Sequence, residues 1–367
     1  MQQEKTDFQL LKDLVDSGRE GKNKGVPIGF PRLNNFIGIR KRIYTLIFGG
    51  PGTGKSSLAQ EMFLLNPVDY MISQGKKEGI KFKMLLFSME RSKMYYQAKW
   101  ISRKIFLNHG IYIPIKKLLG WKHDDVYKLS LDEYDLFLMY EEYIDMLMEE
   151  YVEIHEGPQN PTGIYKAVKR YADNNGKTEE ISEFKKVYIP NHSNEIVIPM
   201  VDHHGITKVE KPFTNKKEAV DKLSEYMQIF RDQYGYSPVD IGQINRELGH
   251  GIYGKSNNGT DYEPTLDHVK ESGRFVDDAD QVVAIFEPIR YKVMNHRGYD
   301  VEKFVDQGTG AKYYRSLIVL KNNFDSDGVA VATGFHGGIG HFKELPRKQD
   351  IEEELYTSIK SQSYFLQ

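Results

Sequence analysis

The stretch YTLIFGGPGTGKSSLAQEMFLL, residues 44–65, decides the fold. Tyr44 to Phe48 is a short apolar run of strand type and SLAQEMFLL reads as a helix. Between them, Gly49-Gly50-Pro51-Gly52-Thr53-Gly54-Lys55-Ser56 matches the pattern G-x-x-x-x-G-K-[ST]. Glycines let the backbone curl so that its N–H groups face inward, and the following helix adds the partial positive charge of its N-terminus. Such a loop cradles phosphate. Chance gives the bare pattern in roughly one chain in fifty of this size; requiring the strand before it and the helix after it leaves few of those. Lys55 is expected to reach the β- and γ-phosphates of ATP, the Ser56 hydroxyl to ligate Mg2+, and Ser57 to close the nucleotide-binding set.

Outward from this loop, further apolar runs alternate with helical patterns: Met84 to Ser88, Ile196 to Val201, Val239 to Gln243, Val282 to Phe286 and Leu317 to Leu320. Strands separated by helices make an α/β fold with a mostly parallel central sheet and flanking helices. Arg315 to Phe342 breaks the pattern. Two strand-like runs joined by NNFDSDG and closed by GFHGGIGHF predict a C-terminal antiparallel hairpin at the sheet edge. GFHGGIG has no helix after it and reads as a turn, not as a second phosphate cradle.

Ahead of the loop, Phe8, Leu11, Leu14 and Val15 stand at helical spacing before the basic, glycine-rich GREGKNKG. This predicts a short amphipathic helix on a strap, which must pack on its own core or on a neighbouring subunit. The expected division is a linker over 1–24, one ATPase domain over 25–346 with a long helical insertion at about 105–194, and a charged, peripheral tail over 347–367. Within the insertion, Leu131 to Ile154 reads as one long helix whose Met139, Tyr143, Met146, Met148 and Tyr151 are packing core, and 174–194 as polar loop.

A chain of 367 residues is long enough for one large core, and 50 Lys and Arg against 52 Asp and Glu leave a net charge of −2. Any site for a polyanion is therefore a local patch. The absence of cysteine excludes disulfides, thiolate catalysis and Cys-ligated zinc. No apolar run approaches the roughly 18 residues of a membrane span, and the start MQQEKTDFQLLKDLV is too acidic for a signal peptide. A cytoplasmic protein without membrane contact is expected.

Phosphoryl transfer to water needs a carboxylate near the metal and a group that orients the water. Two acids end apolar strands downstream of the loop: Asp202 closes EIVIPMVD and Glu90 closes KMLLFSME. Strand ends are where α/β proteins hold ligands, and two acids so placed are harder to dismiss as helix caps than one. His203 and His204 follow Asp202, but no spaced His or carboxylate completes a metal pattern with them.

From about Gly25 to Phe342 the sequence resembles the DnaB-type replicative helicases of the RecA-like ATPase group. GVPIGFPRLNNFIG is similar to their entry segment, and PQNPTGIYKAVKRYADNNG to the helix before their third strand. FSMERSK resembles the strand that ends in the family's catalytic glutamate, which implies that role for Glu90, and Asp202 falls on the metal-associated aspartate. PVDIGQINREL resembles the strand whose glutamine senses the γ-phosphate, here Gln243. TLDHVKESGRFVDDADQVV is similar to the segment whose loop lines the ring's channel and holds single-stranded DNA by its phosphates, implicating Lys270, Glu271 and Gly273. Lys270 with a flexible Gly273 is also what a loop tracking a polyanion requires, and Lys208, Lys211, Lys216, Lys217 and Lys255 lie on neighbouring loops. The resemblance implies a RecA-like fold, ATP and Mg2+ as cofactors, and a homo-oligomer closed into a hexameric ring. It further implies single-stranded and forked duplex DNA as substrate, with a loader or primase among the partners.

There are two departures. On the late hairpin the family carries K-x-R, cations that complete the neighbouring subunit's ATP site; here the stretch is Lys321-Asn322-Asn323. The lysine is kept, which implies a catalytic role for Lys321, and the arginine position holds Asn323. An arginine supplied in trans contributes on the order of 10³-fold or more, so Lys321 alone, or another residue such as Arg315, has to serve. The family's helical domain that recruits primase also has no counterpart ahead of the strap, which with the Lys-, Asn- and Tyr-rich composition suits a phage-encoded replication protein. The expected activity is an ATP-driven translocase that unwinds DNA. The alternative is a RecA-like DNA-binding or signalling ATPase that does not unwind; a P-loop kinase has no use for the KESG loop.

Overall fold

The computed structural model describes residues 6–21, 23–121, 128–182, 185–244, 259–269 and 273–366. Along the chain run β1 (Thr45–Gly49), β2 (Lys81–Ser88), β3 (Val152–Glu156), β4 (Gly176–Ser182), β5 (Lys185–Pro190), β6 (Glu195–Asp202) and β7 (Val239–Gln243). They are followed by β8 (Gln281–Phe286), β9 (Asn295–His296), β10 (Tyr299–Asp300), β11 (Tyr314–Asn322), β12 (Ala330–His336) and β13 (His341–Glu344). Nine of them form one sheet in the order β13-β12-β11-β8-β1-β7-β6-β2-β3, while β4 with β5 and β9 with β10 make two-stranded ribbons. Pairing is parallel from β3 across to β8 and antiparallel from β8 to β13.

The apolar runs are strands because helices cover them on both faces. β1, β6 and β8 are buried at every residue, as parallel strands with both faces covered must be. The period of two assigns alternate residues to opposite layers. Ile47 packs in one core with Leu58, Met62, Leu86 and Ile241, on the side of helix Lys55–Gln60. Leu46 and Phe48 pack in the other with Val168, Leu223 and Phe230, from helices Pro161–Asn175 and Lys216–Asp232.

The mostly parallel α/β sheet and its antiparallel C-terminal edge agree with the sequence reading, and that edge has three strands, β11, β12 and β13, with GFHGGIG turning between the last two. Other elements differ. Leu131 to Ile154 is not one helix: Leu131–Leu138 and Glu141–Met146 are separate helices, a π-helical turn covers Leu147–Tyr151, and the chain then enters β3 beside β2, pairing Val152 with Met84. Tyr151 is buried there and Tyr143, Met146 and Met148 pack partly buried against the core, whereas Met139 is 69% exposed and belongs to no core. The polar segment 174–194 is the ribbon of β4 and β5, anchored where the buried Tyr188 hydroxyl donates to the Ala172 carbonyl at 3.1 Å. The tail is less peripheral than its charge implies. Helix Glu353–Lys360 and the residues after it bury Ile359, Tyr364 and Phe365 against Phe106, Tyr313 and Ala332. At the other end, helix Asp7–Arg19 is capped by Thr6 and Gln9, yet Phe8, Leu11, Leu14 and Val15 are all more than half exposed. No helix among the described residues is long and apolar enough to cross a membrane.

Candidate nucleotide site

All six parallel strands end at one edge of the sheet, and register decides what meets there. Gly49 stands level with Gln243 on one side and with Ile285 on the other, and Ser88 stands level with Asp202. β1 therefore delivers the glycine-rich loop into a cleft whose walls are the ends of β2, β6, β7 and β8. Within the loop, Gly52 and Gly54 have φ of +71° and +102°. A Cβ on Gly54 would also come within 2.8 Å of Phe335 and 2.9 Å of Phe342, so this position needs glycine for its backbone and for space.

Helix Lys55–Gln60 starts directly at Gly54. The buried Lys55 ammonium donates to the Gly50 carbonyl at 3.0 Å, and Thr53 Oγ1 donates to the same oxygen at 2.8 Å. Burial pushes Lys55 down to about 8; Asp202 pulls the other way and Arg290 adds to the depression. Ser56 Oγ donates to Asp202 Oδ1 at 2.7 Å, and Tyr96 from helix Lys93–His109 donates to Oδ2 at 3.1 Å. Burial pushes the Asp202 carboxyl up, against the hydrogen bonds from those two hydroxyls. A buried carboxylate that accepts from two hydroxyls, one of them the serine beside the phosphate loop, is a donor set of hard oxygens that fits a divalent cation such as Mg2+. The Ser57 hydroxyl accepts from Lys99 at 2.6 Å.

Glu90 lies two residues beyond β2 with its side chain 53% exposed, and one carboxylate oxygen is 3.3 Å from His203 Nε2. Gln243 ends β7, and the next residue, Ile244, donates its N–H to the Gly49 carbonyl at 3.2 Å. Ile244 also forms an antiparallel bridge with Val269. The glutamine at the phosphate loop and the residue before the KESG segment are thus joined by backbone. Lys270, Glu271 and Lys255 lie outside the described residues; Gly273 is described and precedes helix Arg274–Asp278, with open space where a Cβ would stand. Lys208, Lys211, Lys216 and Lys217 are exposed.

Lys321 is not in this cleft. It stands opposite Val282, near the start of β8 and so toward the other end of the sheet, where its ammonium donates to the Val276 and Asp277 carbonyls at 2.9 Å each. Asn323 is held nearby through the Asp280 carbonyl and side chain. Arg315 does not fit the role of a cation lent to a neighbour. It is buried against the phosphate loop of its own chain, donating to the Thr53 carbonyl at 3.0 Å and facing Glu287 at 3.5 Å. Arg290 is a further cation of this chain at the loop: it donates to the Pro51 carbonyl and pairs with Glu287 at 3.0 Å.

His203 directly follows Asp202, although nothing in the sequence marks Glu90 as its partner, while Tyr96, Lys99, Glu287 and Arg290 carry no motif. Tyr96 and Lys99 stand three apart on one helix face, a signal of amphipathicity only, and the others reach the site through pairing between remote segments.

A glycine-rich loop after the first strand of a mostly parallel sheet, with acids at neighbouring strand ends and an antiparallel C-terminal edge, defines the fold of RecA-like P-loop ATPases. Solved structures that share it include the following two. One is an isolated ATPase domain, which superposes with a TM-score of 0.66 at 18% identity, over 94% of this chain and 100% of that one. The other is a DnaB-like replicative helicase, whose structure was described with its interactions with primase; it gives a TM-score of 0.62 at 16% identity over 94% of this chain and 68% of that one. At such identities the likeness is one of fold. No protein-family model matches the sequence, and no curated protein does.

Proposed function

We propose that this chain is an ATP-driven DNA helicase motor that works as a hexameric ring on single-stranded and forked duplex DNA. The observation that carries the reading is the meeting of Lys55, the Ser56–Asp202 pair, Glu90 and Gln243 at one sheet edge. It is supported by a fold in common with a solved ATPase domain and with a DnaB-like replicative helicase. In this reading residues 25–346 are the ATPase domain, with the linker before it and the tail after it. The loop N–H groups and Lys55 bind the β- and γ-phosphates of ATP, Ser56 and Asp202 hold Mg2+, and Glu90 orients the attacking water. Mg2+, when bound, supplies charge neutralisation for the phosphate oxygens. Gln243 reports the state of the γ-phosphate through Ile244 and Val269 to the segment of Lys270, Glu271 and Gly273, which holds DNA. A loader or primase is a candidate partner, though not through the family's primase-recruiting domain, and the setting is the cytoplasm, that of the host if the protein is phage-encoded. Hydrolysis measured with and without single-stranded DNA tests the assignment. Lys55→Ala is expected to lower the rate by about 10²-fold or more, and Lys270→Ala to remove stimulation by DNA while sparing the basal rate. A basal rate untouched by Lys55→Ala contradicts it.

One observation favours a second reading, of a RecA-like ATPase that binds DNA or signals without unwinding. Asn323 occupies the position of a trans-acting arginine, and Lys321 is engaged by carbonyls of its own chain. Electron micrographs with ATP and single-stranded DNA separate the two readings: closed rings support the first, filaments the second.

A further inference from the structure

The histidine pair after Asp202 divides into two unlike residues. His204 is a residue of the fold. Its ring is buried, pairs through Nδ1 with the buried Asp240, and stacks on Phe275 with centroids 4.4 Å apart. His203 is almost as buried, at 9% exposure, and its ring faces the buried carboxylates of Asp202 and Asp240 as well as Glu90. Its Nδ1 has no hydrogen-bond partner among the described residues, and its Nε2 faces Glu90 at 3.3 Å. A buried polar ring with one nitrogen unsatisfied is costlier than an apolar side chain of the same shape. Of the carboxylates it faces, Glu90 is the one within ion-pair distance of its Nε2.

Glu90 needs a partner of this kind. It lies outside any helix or strand and is half exposed, and a glutamate side chain free to rotate gives up roughly 1.5–2 kcal/mol of rotamer entropy when fixed. A carboxylate that orients water has to be held, since displacement by about 1 Å can lower a rate by roughly 10²-fold. We infer that His203 is the positioning residue of Glu90: its buried ring fixes one carboxylate oxygen through an Nε2–H donor and leaves the other oxygen for the attacking water. The inference rests on the reading of Glu90 as the water-orienting acid.

The test is steady-state ATP hydrolysis by the full chain, with ATP binding followed separately using a fluorescent ATP analogue. Four proteins are compared with wild type: His203→Phe, His203→Gln, Glu90→Gln and the His203→Phe/Glu90→Gln double variant. His203→Phe keeps the ring and removes the donor, so it folds even if smaller replacements do not. It is expected to lower kcat roughly tenfold or more, with KM and analogue affinity within about twofold of wild type. His203→Gln, whose amide can donate, is expected to restore most of that loss. In the Glu90→Gln background, single-turnover measurement of the residual rate is expected to show no further loss from His203→Phe. Wild-type kcat in His203→Phe overturns the inference, as does a loss fully repeated in the Glu90→Gln background. Should Glu90→Gln itself hydrolyse ATP at the wild-type rate, the reading of Glu90 fails; should it be inactive while His203→Phe is fully active, the positioning inference alone fails.

Discussion

Gly54 is the most constrained residue of the candidate site, because its positive φ and its distance from Phe335 and Phe342 both exclude a side chain. Gly54→Ala is expected to destabilise the chain by about 1–3 kcal/mol from backbone strain alone, and more if the rings must move. It should also abolish binding of a fluorescent ATP analogue; full binding by a stable Gly54→Ala protein would show that the loop adapts. Behind the loop, buried Glu61 accepts hydrogen bonds from Arg103 at 2.8 Å and from the Phe342 N–H at 2.6 Å, and pairs with His341. Burial pushes its carboxyl up, but His341 and Arg103 outweigh that and hold it below the ordinary glutamate range. A depressed folded-state pKa contributes stability that is complete above the unfolded value of about 4.3 and is lost as pH falls through the folded value. Glu61→Gln should therefore cost about 3–5 kcal/mol at neutral pH, and urea midpoints should converge with wild type only once pH has fallen through the depressed folded-state value, below the ordinary glutamate range. Lys55, Ser56, Glu90, Asp202 and Gln243 were readable because a motif or a strand end marks them. His203, Tyr96 and Arg290 were not, since what defines each is a partner far away in sequence.

Among the elements, β1 and β7 were legible almost to the residue because central parallel strands are continuous apolar runs bounded by turns. β3 was hidden for the opposite reason. Its five residues, VEIHE, sit at the sheet edge with mostly partial burial and continue without a break from the helical run before them, so the helix period masks the strand. The β4 and β5 ribbon is too polar to show alternation. In the tail, a charged surface conceals three anchors, of which Phe365 is 2% exposed and lies in ring contact with Tyr313 and His336. Phe365→Ala is expected to destabilise the whole domain by about 3–5 kcal/mol, read from denaturant midpoints. A change within about 0.5 kcal/mol, on the scale of surface substitutions, would mean that the tail is a separate appendage.

For the molecule as a whole, sheet order explains why nucleotide chemistry and DNA binding are proposed as one machine: Gln243 and Val269 are two steps apart through Ile244. In the proposed ring, what completes the machine lies between copies. The outward stripe of Phe8, Leu11, Leu14 and Val15 is the feature that most requires a neighbour. Replacing Leu11 and Leu14 together by Glu is expected to leave a folded monomer by light scattering where wild type assembles; unchanged assembly would place the subunit contacts elsewhere. The most direct measurement is strand separation of a forked DNA duplex. Wild type with ATP and Mg2+ is expected to release the displaced strand, and Lys55→Ala to release none. A protein that assembles into rings and hydrolyses ATP, yet leaves the fork annealed, would contradict the proposed helicase function.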